Sequence, residues 1–362
     1  MIKVLVLFSA AGLGGAERSL TRMCLANAAN DITYRLGTVD GEGEWTRWVR
    51  TQGIEPLVVS LAVNSRVLGN VWGLRRRLRD WSPDLVYAVG LRASIVVRLL
   101  KPTLPGLKVV HAIRTSFPPG SELASRYGRS ERLLRGLTAA FIANSIAGAD
   151  SLARIAGVKR ASVRVIPNGI EVPPMPSQPV RERAKVVAVI ANLHPLKGHL
   201  PFLEVIAAVI RKHPDVKFLF VGRDDLNGAI QQAVLQQGLA TNIRFEGFQA
   251  DIAPFLAAAR MLVLPSRVTE GAPTAILEAQ AAALPTIAYA VGGVQELIRR
   301  DVDGYVEQVD DVDGMAGAIV ALLDDPIKAE QMGLAARRKV QEQYSLSACA
   351  ERHATVWREI CG

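Results

Sequence analysis

The amino-acid sequence predicts an α/β protein with two doubly wound parallel sheets, one in each half of the chain. Short apolar runs alternate with longer stretches of helical periodicity throughout the 362 residues. This is the pattern of a parallel sheet covered by helices on both faces. Residues 171–183 interrupt the alternation with four prolines, which indicates a stiff, non-helical connector. A chain of this length also suffices for two domains with separate cores.

The first half begins with an apolar run, Lys3–Phe8, followed by a glycine-rich loop and a helical pattern over Glu17–Ala29. A lysine before a short apolar run is also typical of signal peptides, but the succession of strand, loop and helix favours a buried first strand. The other strands expected in this half are Tyr34–Val39, Glu55–Leu61, Leu85–Val89, Lys108–Ile113, Ala139–Asn144 and Ser162–Ile166.

The second half repeats the alternation and ends in an amphipathic helix over Ser347–Ile360. Its expected strands are Lys185–Ile190, Val216–Val221, Ile243–Glu246, Arg260–Leu264, Thr286–Tyr289 and Gly304–Val306. We therefore expect a first domain over residues 1–170, a linker over 171–183 and a second domain over 184–346. A terminal helix over 347–362 follows, and packing back onto the first domain is one option for it.

Composition excludes several classes of protein. Apolar residues make up 49% of the chain and charged residues 21%, as in a folded globular protein. The cysteines Cys24, Cys349 and Cys361 lie too far apart for a zinc knuckle or a disulfide framework and fit a reducing cytoplasm. The chain contains no apolar run of 18 residues, as a membrane-spanning helix would need. The five histidines have no metal-ligand spacing, so we expect no metal site.

Positive charge is concentrated in the first half. Residues 1–170 hold 24 Lys and Arg against 11 Asp and Glu, while the whole chain has a net charge of +9. Two helical segments, Arg66–Trp81 and Glu122–Leu137, contain arginine clusters outside their apolar residues. Basic amphipathic helices bind anionic membranes, although each segment alone is equally typical of a solvated helix face. The arginines concerned are Arg75, Arg76 and Arg79 in the first segment, and Arg126, Arg129, Arg132 and Arg135 in the second.

The apolar residues of the first segment predict an amphipathic helix. These residues recur at helical spacing and are Val67, Leu68, Val71, Leu74, Leu78 and Trp81. Without interleaved aromatic residues on the basic side or a nucleic-acid-binding module, the two segments together favour a membrane over nucleic acid as the anionic partner.

Three loops that follow predicted strands contain residues suited to ligand binding. The loop Gly12–Glu17 places Gly14 and Gly15 at the start of a helix, where backbone N–H groups can approach a phosphate or a sugar. Glu17 stands where a dinucleotide-binding fingerprint has its third glycine, which weakens that interpretation. In the loop Val189–His199, Lys197 can neutralise a diphosphate leaving group.

The third loop contains the most specific motif. Glu270 precedes a Gly-Ala-Pro turn, and Glu278 lies within the helix that begins there. Amides at a helix N-terminus hold phosphate, and carboxylates accept hydrogen bonds from vicinal hydroxyls. Two carboxylates beside a phosphate site therefore predict a nucleotide-sugar site, with one carboxylate for the sugar and one for the ribose. The turn and the start of the helix consist of Gly271, Ala272, Pro273 and Thr274.

These motifs resemble the retaining, two-domain nucleotide-sugar glycosyltransferases of the GT-B fold, specifically glycosyltransferase family 4. The resemblance covers nearly the whole chain and is carried by Gly14–Glu17, Ile166–Gly169, Leu193 with Lys197 and Gly198, Glu270 with Glu278, and Gly292–Glu296. It implies two Rossmann-like domains facing a central cleft. It also implies metal-independent transfer from a nucleoside-diphosphate sugar, UDP being favoured over GDP, without a further cofactor.

The resemblance also implies roles for individual residues. Gly14 and Gly15 would let the backbone approach the donor phosphate or the acceptor. Lys197 would bind the diphosphate, Glu270 the hydroxyls of the donor sugar, and Glu278 the ribose.

Two positions depart from the family pattern. Many members have an arginine where this chain has Asn192, and Arg114, Arg223 and Arg267 are candidates to compensate for it. Many also have a histidine where this chain has Arg114, which we expect to face the cleft, with His111 as a second candidate. The expected catalytic residues are Glu270, Lys197 and Arg114, and the expected donor-binding residues are Gly14, Gly15, Asn192, Lys197, Arg223, Glu270, Gly271, Ala272, Pro273, Thr274 and Glu278.

The expected function is transfer of a sugar to a lipid-linked or growing bacterial surface glycan. The basic first half would hold this acceptor at the inner face of the cytoplasmic membrane. Two alternatives share the architecture, namely a nucleotide-sugar 2-epimerase and a catalytically impaired sugar-nucleotide-binding protein.

Overall fold

The computed structural model describes residues 1–27, 29–62, 67–117 and 120–362. Ala28 and Arg66, which belong to two of the predicted helices, lie outside these ranges. The chain divides into two compact units. The first comprises Met1–Gly169 together with Leu346–Gly362, and the second comprises Ile170–Ser345. Within the described ranges, every helix falls short of the length and apolarity that a bilayer crossing requires.

The first unit contains a seven-stranded parallel sheet. Its strands are β1 (Ile2–Phe8), β2 (Ile32–Thr38), β3 (Leu57–Val58), β4 (Leu85–Val89), β5 (Lys108–Ile113), β6 (Ala140–Ala143) and β7 (Val163–Val165). They are arranged in the order β3-β2-β1-β4-β5-β6-β7, the Rossmann order extended by one strand. The helices are α1 (Gly15–Leu25), α2 (Glu44–Thr51), α3 (Val67–Trp81), α4 (Leu91–Leu100), α5 (Glu122–Leu134), α6 (Ile146–Ala156) and, from the end of the chain, α14 (Leu346–Cys361).

Both faces of this sheet are buried, as the first strand illustrates. Val4, Val6 and Phe8 join one hydrophobic cluster, whereas Leu5 and Leu7 join another. Successive side chains of a strand point to opposite faces, so the continuous apolar run reflects a strand covered on both sides. The predicted buried first strand is confirmed.

The third predicted strand is much shorter than expected. The apolar residues of Glu55–Leu61 predict a strand, but only Leu57–Val58 pairs regularly with β2. Pro56 has no N–H to donate, which prevents pairing from extending in that direction. Val59 and Leu61 are nevertheless buried, and their amides bond to the Thr38 and Val39 carbonyls.

Leu68, one of the apolar residues of the predicted amphipathic helix, lies away from the buried face of α3. Its side chain is 73% exposed, and that of Trp72, one turn later, is 64% exposed. Only Leu74 and Leu78 are fully buried in this helix. The apolar residues of α3 therefore exceed what the contact with the sheet can cover.

The second unit contains a six-stranded parallel sheet in the order β10-β9-β8-β11-β12-β13. Its strands are β8 (Val186–Ile190), β9 (Lys217–Val221), β10 (Ile243–Gly247), β11 (Met261–Leu264), β12 (Thr286–Tyr289) and β13 (Gly304–Glu307). The helices are α7 (His199–Lys212), α8 (Ala229–Gln236), α9 (Ala253–Ala258), α10 (Thr274–Ala281), α11 (Val294–Leu297), α12 (Val312–Asp324) and α13 (Pro326–Gln343). The predicted fold class, two Rossmann-like doubly wound sheets, is confirmed.

Residues 171–183 pack as part of the second unit. Val180–Glu182 forms a 3-10 turn, and the Arg183 side chain is buried, donating to the carbonyls of Leu256 and Ala259. The segment predicted as a stiff, non-helical connector thus contains a short 3-10 turn and is bound to the end of α9 through Arg183.

The final helix, α14, packs within the first unit. Trp357 is fully buried there and donates from its indole N–H to the Tyr34 hydroxyl at 3.0 Å. Cys349 and Ala354 lie in the same hydrophobic cluster. The chain therefore returns to its first sheet after completing the second.

Candidate functional site

The second unit places two of the predicted loops side by side. Strand β8 pairs with both β9 and β11, so the strand order reverses between β8 and β11. The loop that contains Lys197 follows β8, and the loop that contains Glu270 follows β11. Open parallel sheets bind ligands at the carboxyl ends of the strands on either side of such a reversal. The topology alone thus makes this edge the candidate site.

A glycine allows these two loops to touch. Gly198 has φ +73°, and a Cβ atom there would lie 2.1 Å from the Pro265 carbonyl oxygen. No residue with a side chain fits so close to another backbone, and the positive φ disfavours such a residue independently. Gly198 therefore fixes the Lys197 loop against the end of β11.

Lys197 and Glu270 form an ion pair at this edge. The Lys197 Nζ lies 2.5 Å from Glu270 Oε1, and the exposed fractions of the two side chains are 31% and 8%. The buried Ser266 hydroxyl donates to the same Glu270 oxygen at 2.6 Å. The carboxylate is thereby held in one orientation, while the ammonium group stays accessible to solvent on one side.

The Gly-Ala-Pro turn leads directly from this ion pair into α10. Gly271 and Ala272 are buried, Pro273 is the N-cap, and the helix starts at Thr274. The Glu270 carbonyl accepts a hydrogen bond from the Gly293 amide at 3.2 Å. The first amides of an eight-residue helix are thus placed beside a fixed carboxylate and a lysine. This combination suits an anionic ligand that also carries hydroxyl groups.

Glu278 lies one turn further into α10 and is half-buried. It lies on the same face of the helix as Thr274, four residues earlier. Ile276, Leu277 and Ala279, by contrast, are buried in the core. The structure therefore places Glu278 on the side of α10 that does not pack into the sheet.

Asn192 organises the neighbouring loop. Its Oδ1 accepts a hydrogen bond from the Arg223 amide at 3.1 Å, and Arg223 follows β9. The Arg223 guanidinium is paired in turn with Asp225, its Nε lying 2.7 Å from Oδ1. Arg267 is likewise paired, with Asp310. Both candidate substitutes for the missing arginine in the second unit are thus bound to carboxylates.

His199, which the sequence places in the predicted ligand-binding loop, is buried in the core of the second unit. Its ring is 1% exposed and packs edge-on against Phe220, and neither ring nitrogen has a hydrogen-bond partner among the described residues. Burial, with a smaller contribution from the Lys197 charge, lowers the His199 pKa to about 4. His194 instead shapes the loop, since its Nδ1 accepts a hydrogen bond from the Leu196 amide.

The first unit contains the other predicted site residues. Gly14 is the N-cap of α1, and Gly15 is the first helical residue. The Glu17 carboxylate folds back towards Gly14, so that a Cβ atom on Gly14 would lie 2.7 Å from Glu17 Oε2. Burial raises the Glu17 pKa, opposed by its own amide, the Arg114 charge and the Gly14 amide. The loop thus holds a partly desolvated carboxyl group against amides at the start of α1.

Arg114 follows β5, at the carboxyl edge of the first sheet. Its guanidinium donates to the buried side chain of Asn168, within the Ile166–Gly169 motif. The Arg114 carbonyl accepts from the Asn144 amide group. The guanidinium therefore links the segment that follows β5 to the segment that follows β7.

His111 belongs to a buried polar network and not to this edge. Its Nδ1 lies 3.1 Å from Glu131 Oε1, and its Nε2 lies 3.0 Å from the Tyr127 hydroxyl. Glu131 also accepts two hydrogen bonds from Arg98. Burial opposes ionisation of Glu131, yet the hydrogen bonds from His111 and Arg98 lower its pKa to about 2. The network links β5, α4 and α5 in the interior of the first unit.

The structure therefore groups the predicted residues into two sets. Lys197, Glu270 and the turn before α10 meet in the second unit, with Asn192 and Arg223 on the adjacent loop. Gly14, Gly15 and Arg114 lie at the carboxyl edge of the first sheet. Sequence reasoning missed Ser266 as a contact of Glu270, although its position directly after β11 was a usable signal. The described residues include no group of three or more His, Cys, Asp or Glu arranged to hold a metal ion.

Two family models match the chain. The model "Glycosyltransferase Family 4" matches residues 13–172, and the model "Glycosyl transferases group 1" matches residues 184–325. Together they cover about five-sixths of the chain.

Two curated proteins with similar sequences are named as transferases. A GDP-mannose-dependent monoacylated alpha-(1-6)-phosphatidylinositol monomannoside mannosyltransferase of Corynebacterium glutamicum is 31% identical over 208 residues, which is 52% of this chain and 54% of that protein. A UDP-Gal:alpha-D-GlcNAc-diphosphoundecaprenol alpha-1,3-galactosyltransferase of Escherichia coli is 30% identical over 179 residues, 46% of each chain. The chain thus spans about half the length of the curated relatives it matches.

Solved structures share the fold over nearly the whole length of the chain. The Anabaena protein HepE in complex with UDP superposes with a TM-score of 0.86 at 21% identity, covering 99% of this chain and 100% of that one. A sucrose-phosphate synthase from Thermosynechococcus elongatus gives a TM-score of 0.80 at 19% identity and covers 99% of both chains. At these identities the likeness concerns the fold, which is that of the GT-B glycosyltransferases.

Proposed function

Because the chain belongs to glycosyltransferase family 4, we propose that it transfers a glycosyl group from a nucleoside-diphosphate sugar to an acceptor hydroxyl, with retention at the anomeric carbon. The observation that carries the proposal is the Lys197–Glu270 ion pair beside the N-terminus of α10. It combines a cation, helix amides and a carboxylate at the reversal of strand order, as a diphosphate attached to a sugar requires.

Donor binding would exchange the partners of this ion pair. The diphosphate would take the Lys197 ammonium group and the first amides of α10, because both favour negative charge. Glu270, released from Lys197 but still held by the Ser266 hydroxyl, would then accept hydrogen bonds from the donor sugar. Glu278, half-buried on α10, would accept hydrogen bonds from the ribose.

Stabilisation of the leaving group is the main catalytic effect expected of this site. Negative charge develops on the diphosphate as the glycosidic bond breaks, and a fixed cation with oriented amides stabilises that charge. Arg223 would supply a second positive charge after leaving Asp225, positioned by the bond between its amide and Asn192. We propose that no metal ion or further cofactor is required, so that activity should survive EDTA.

The first unit would provide the acceptor site. Gly14 and Gly15 lie at the start of α1, where the absence of side chains lets a ligand approach the backbone closely, and Arg114 lies at the same edge of the sheet. The mannosyltransferase and galactosyltransferase relatives carry lipid-linked acceptors in their names. We therefore propose a lipid-linked or growing bacterial surface glycan as acceptor, with the protein bound peripherally to the inner face of the cytoplasmic membrane.

The donor nucleotide is proposed to be UDP. HepE, with the same architecture, was solved with UDP and with UDP-glucose, and one curated relative uses UDP-Gal, although another uses GDP-mannose. Thermal unfolding with UDP, GDP, ADP and their sugars tests the choice. A ligand at 100 times its Kd adds about 2.7 kcal/mol to the unfolding free energy. Stabilisation by GDP alone would overturn the choice of UDP, and no stabilisation by any nucleotide would overturn the donor site.

Turnover experiments separate the proposal from its two alternatives. A transferase releases UDP in proportion to glycosylated acceptor, while a 2-epimerase converts the donor sugar without any acceptor. A binding protein would be stabilised by nucleotide but would not turn it over. The relatives named above include no epimerase. Formation of an isomerised donor in the absence of acceptor would contradict the transferase proposal.

A further inference from the structure

Helix α3 exposes a continuous stripe of apolar and basic side chains on the side opposite its buried face. With 3.6 residues per turn, Leu68, Trp72, Arg75, Arg76 and Arg79 fall within a sector of about 100°. Within a soluble protein, a tryptophan that is 64% exposed one turn from a leucine that is 73% exposed is unusual, because large apolar side chains gain free energy by leaving water.

The residue types of the stripe change along the helix axis. Its first half is apolar, with Leu68 and Trp72, and its second half contains three arginines. The Arg75 guanidinium carbon lies 5.3 Å from the centroid of the Trp72 ring, while its Nε donates to Thr103 at 2.9 Å. The charge of Arg75 is thus held against the tryptophan by the fold, which gives that ring a defined position at the surface.

The basic part of the stripe keeps a positive charge. Arg76 and Arg79 approach Asp80 at 3.7 Å and 4.0 Å, but their side chains are exposed and one carboxylate cannot neutralise two guanidinium groups. The unit to which α3 belongs also contains most of the positive charge of the chain. The partner that complements the stripe is therefore both anionic and apolar.

We propose that α3 is the membrane-contact helix of this protein, with Leu68 and Trp72 inserted at the boundary between headgroups and acyl chains of an anionic bilayer. Tryptophan is favoured at that depth because its ring is apolar and its N–H is polar. The arginines would lie among the lipid phosphates. This inference rests on the membrane part of the proposed function and assigns it to one face of one helix.

The second basic helix, α5, is less suited to this role. Arg126, Arg129 and Arg132 are exposed there, but Tyr127, its one aromatic residue, is buried. Arg135, which follows α5, donates to the carbonyl of Gly157 and so has a structural role. This helix therefore attracts anions without offering an aromatic side chain to the bilayer, and it supplies a control for charge alone.

Vesicle binding tests the assignment. Full-length wild type is compared with L68A/W72A and R76Q/R79Q by co-sedimentation with phosphatidylcholine vesicles containing about 30% phosphatidylglycerol, and with vesicles of phosphatidylcholine alone. We expect binding to the anionic vesicles only, a loss of about tenfold or more in L68A/W72A, and a loss of about fivefold for each arginine removed. The controls are Leu235→Ala, at an equally exposed leucine of the second unit, and R126Q/R129Q.

Three results would overturn the assignment. They are a wild type that does not bind anionic vesicles, an L68A/W72A variant that binds like wild type, and loss of binding confined to R126Q/R129Q. A wild-type dimer that L68A/W72A abolishes, without vesicle binding, would assign the stripe to a second copy of the chain. Thermal stabilisation by UDP is measured for every variant, because retained stabilisation shows that the protein is folded and that the donor site is independent of the outcome.

Discussion

The Lys197 ammonium group is bound to Glu270 at 2.5 Å although the two residues are separated by 73 positions in the chain. The contact exists because β8 and β11 are neighbours in the second sheet and because Gly198 lets the two following loops touch. It brings opposite charges together at the edge where this fold binds ligands.

Replacing Lys197 should abolish most of the transferase activity. In Lys197→Ala the departing diphosphate loses its fixed cation, and we expect kcat to fall about 100-fold to 1,000-fold. Initial-rate kinetics with saturating donor measure the change. Lys212→Ala, at an exposed lysine at the end of α7, is the matched control and should be unaffected. A fall of less than threefold in Lys197→Ala would rule out this role for the lysine.

Replacing Glu270 should separate binding of the nucleotide from use of the sugar. In Glu270→Gln the carboxylate no longer competes for Lys197, so the affinity for UDP alone should rise about twofold to fivefold. Transfer should fall about tenfold to 150-fold, because a hydrogen bond to a charged group contributes about 1.5–3 kcal/mol. Calorimetric titration measures the affinity for UDP, and initial rates measure the transfer. Glu342→Gln, at an exposed glutamate, is the control. Weaker UDP binding together with unchanged transfer would contradict both expectations.

Substitutions at Gly198 and Gly228 separate the effect of backbone strain on stability from the effect of a close contact. Both have positive φ, but a Cβ atom at Gly228 would meet nothing within 4 Å, whereas at Gly198 it would lie 2.1 Å from a carbonyl oxygen. Gly228→Ala should therefore lower the unfolding free energy by about 1–2 kcal/mol, with the donor site intact. Gly198→Ala should be less stable still and should lose UDP binding. Chemical denaturation and titration with UDP measure these effects, and equal losses in the two variants would show that the close contact has no part.

His199 should make the protein less stable as the pH falls. Because burial lowers its pKa from 6.5 in the unfolded chain to about 4 in the folded protein, its contribution is fully present above pH 6.5 and is lost as the pH falls towards 4. By linkage this loss is on the order of 3 kcal/mol. His353, also buried with a pKa of about 4, should behave alike.

Unfolding free energies at pH 7, 5.5 and 4 provide the measurement. His199→Phe, which keeps a ring against Phe220 but does not titrate, should show a smaller decline between pH 6.5 and 4 than wild type. The same decline in both proteins would mean that His199 is not the group responsible.

The sequence alone predicted most of the local structure and the kind of chemistry. Leu85–Val89, Lys108–Ile113 and Thr286–Tyr289 are strands with the predicted bounds, because a strand buried on both faces is a continuous apolar run that local composition reveals. The positions of Lys197 and Glu270, each in a loop directly after a strand, were also visible, since loops at the carboxyl ends of parallel strands are marked by glycine and proline.

The tertiary structure alone decided which of these groups meet and which face water. The order of strands places the loop of Lys197 beside the loop of Glu270. Packing buries His199 in the core, whereas Leu68 and Trp72 are exposed to solvent. Helical periodicity shows which residues share a side of a helix, but the neighbouring elements determine how wide a stripe is covered. Contacts between residues far apart in the chain depend on the free energy of the whole packed arrangement, which no local pattern contains.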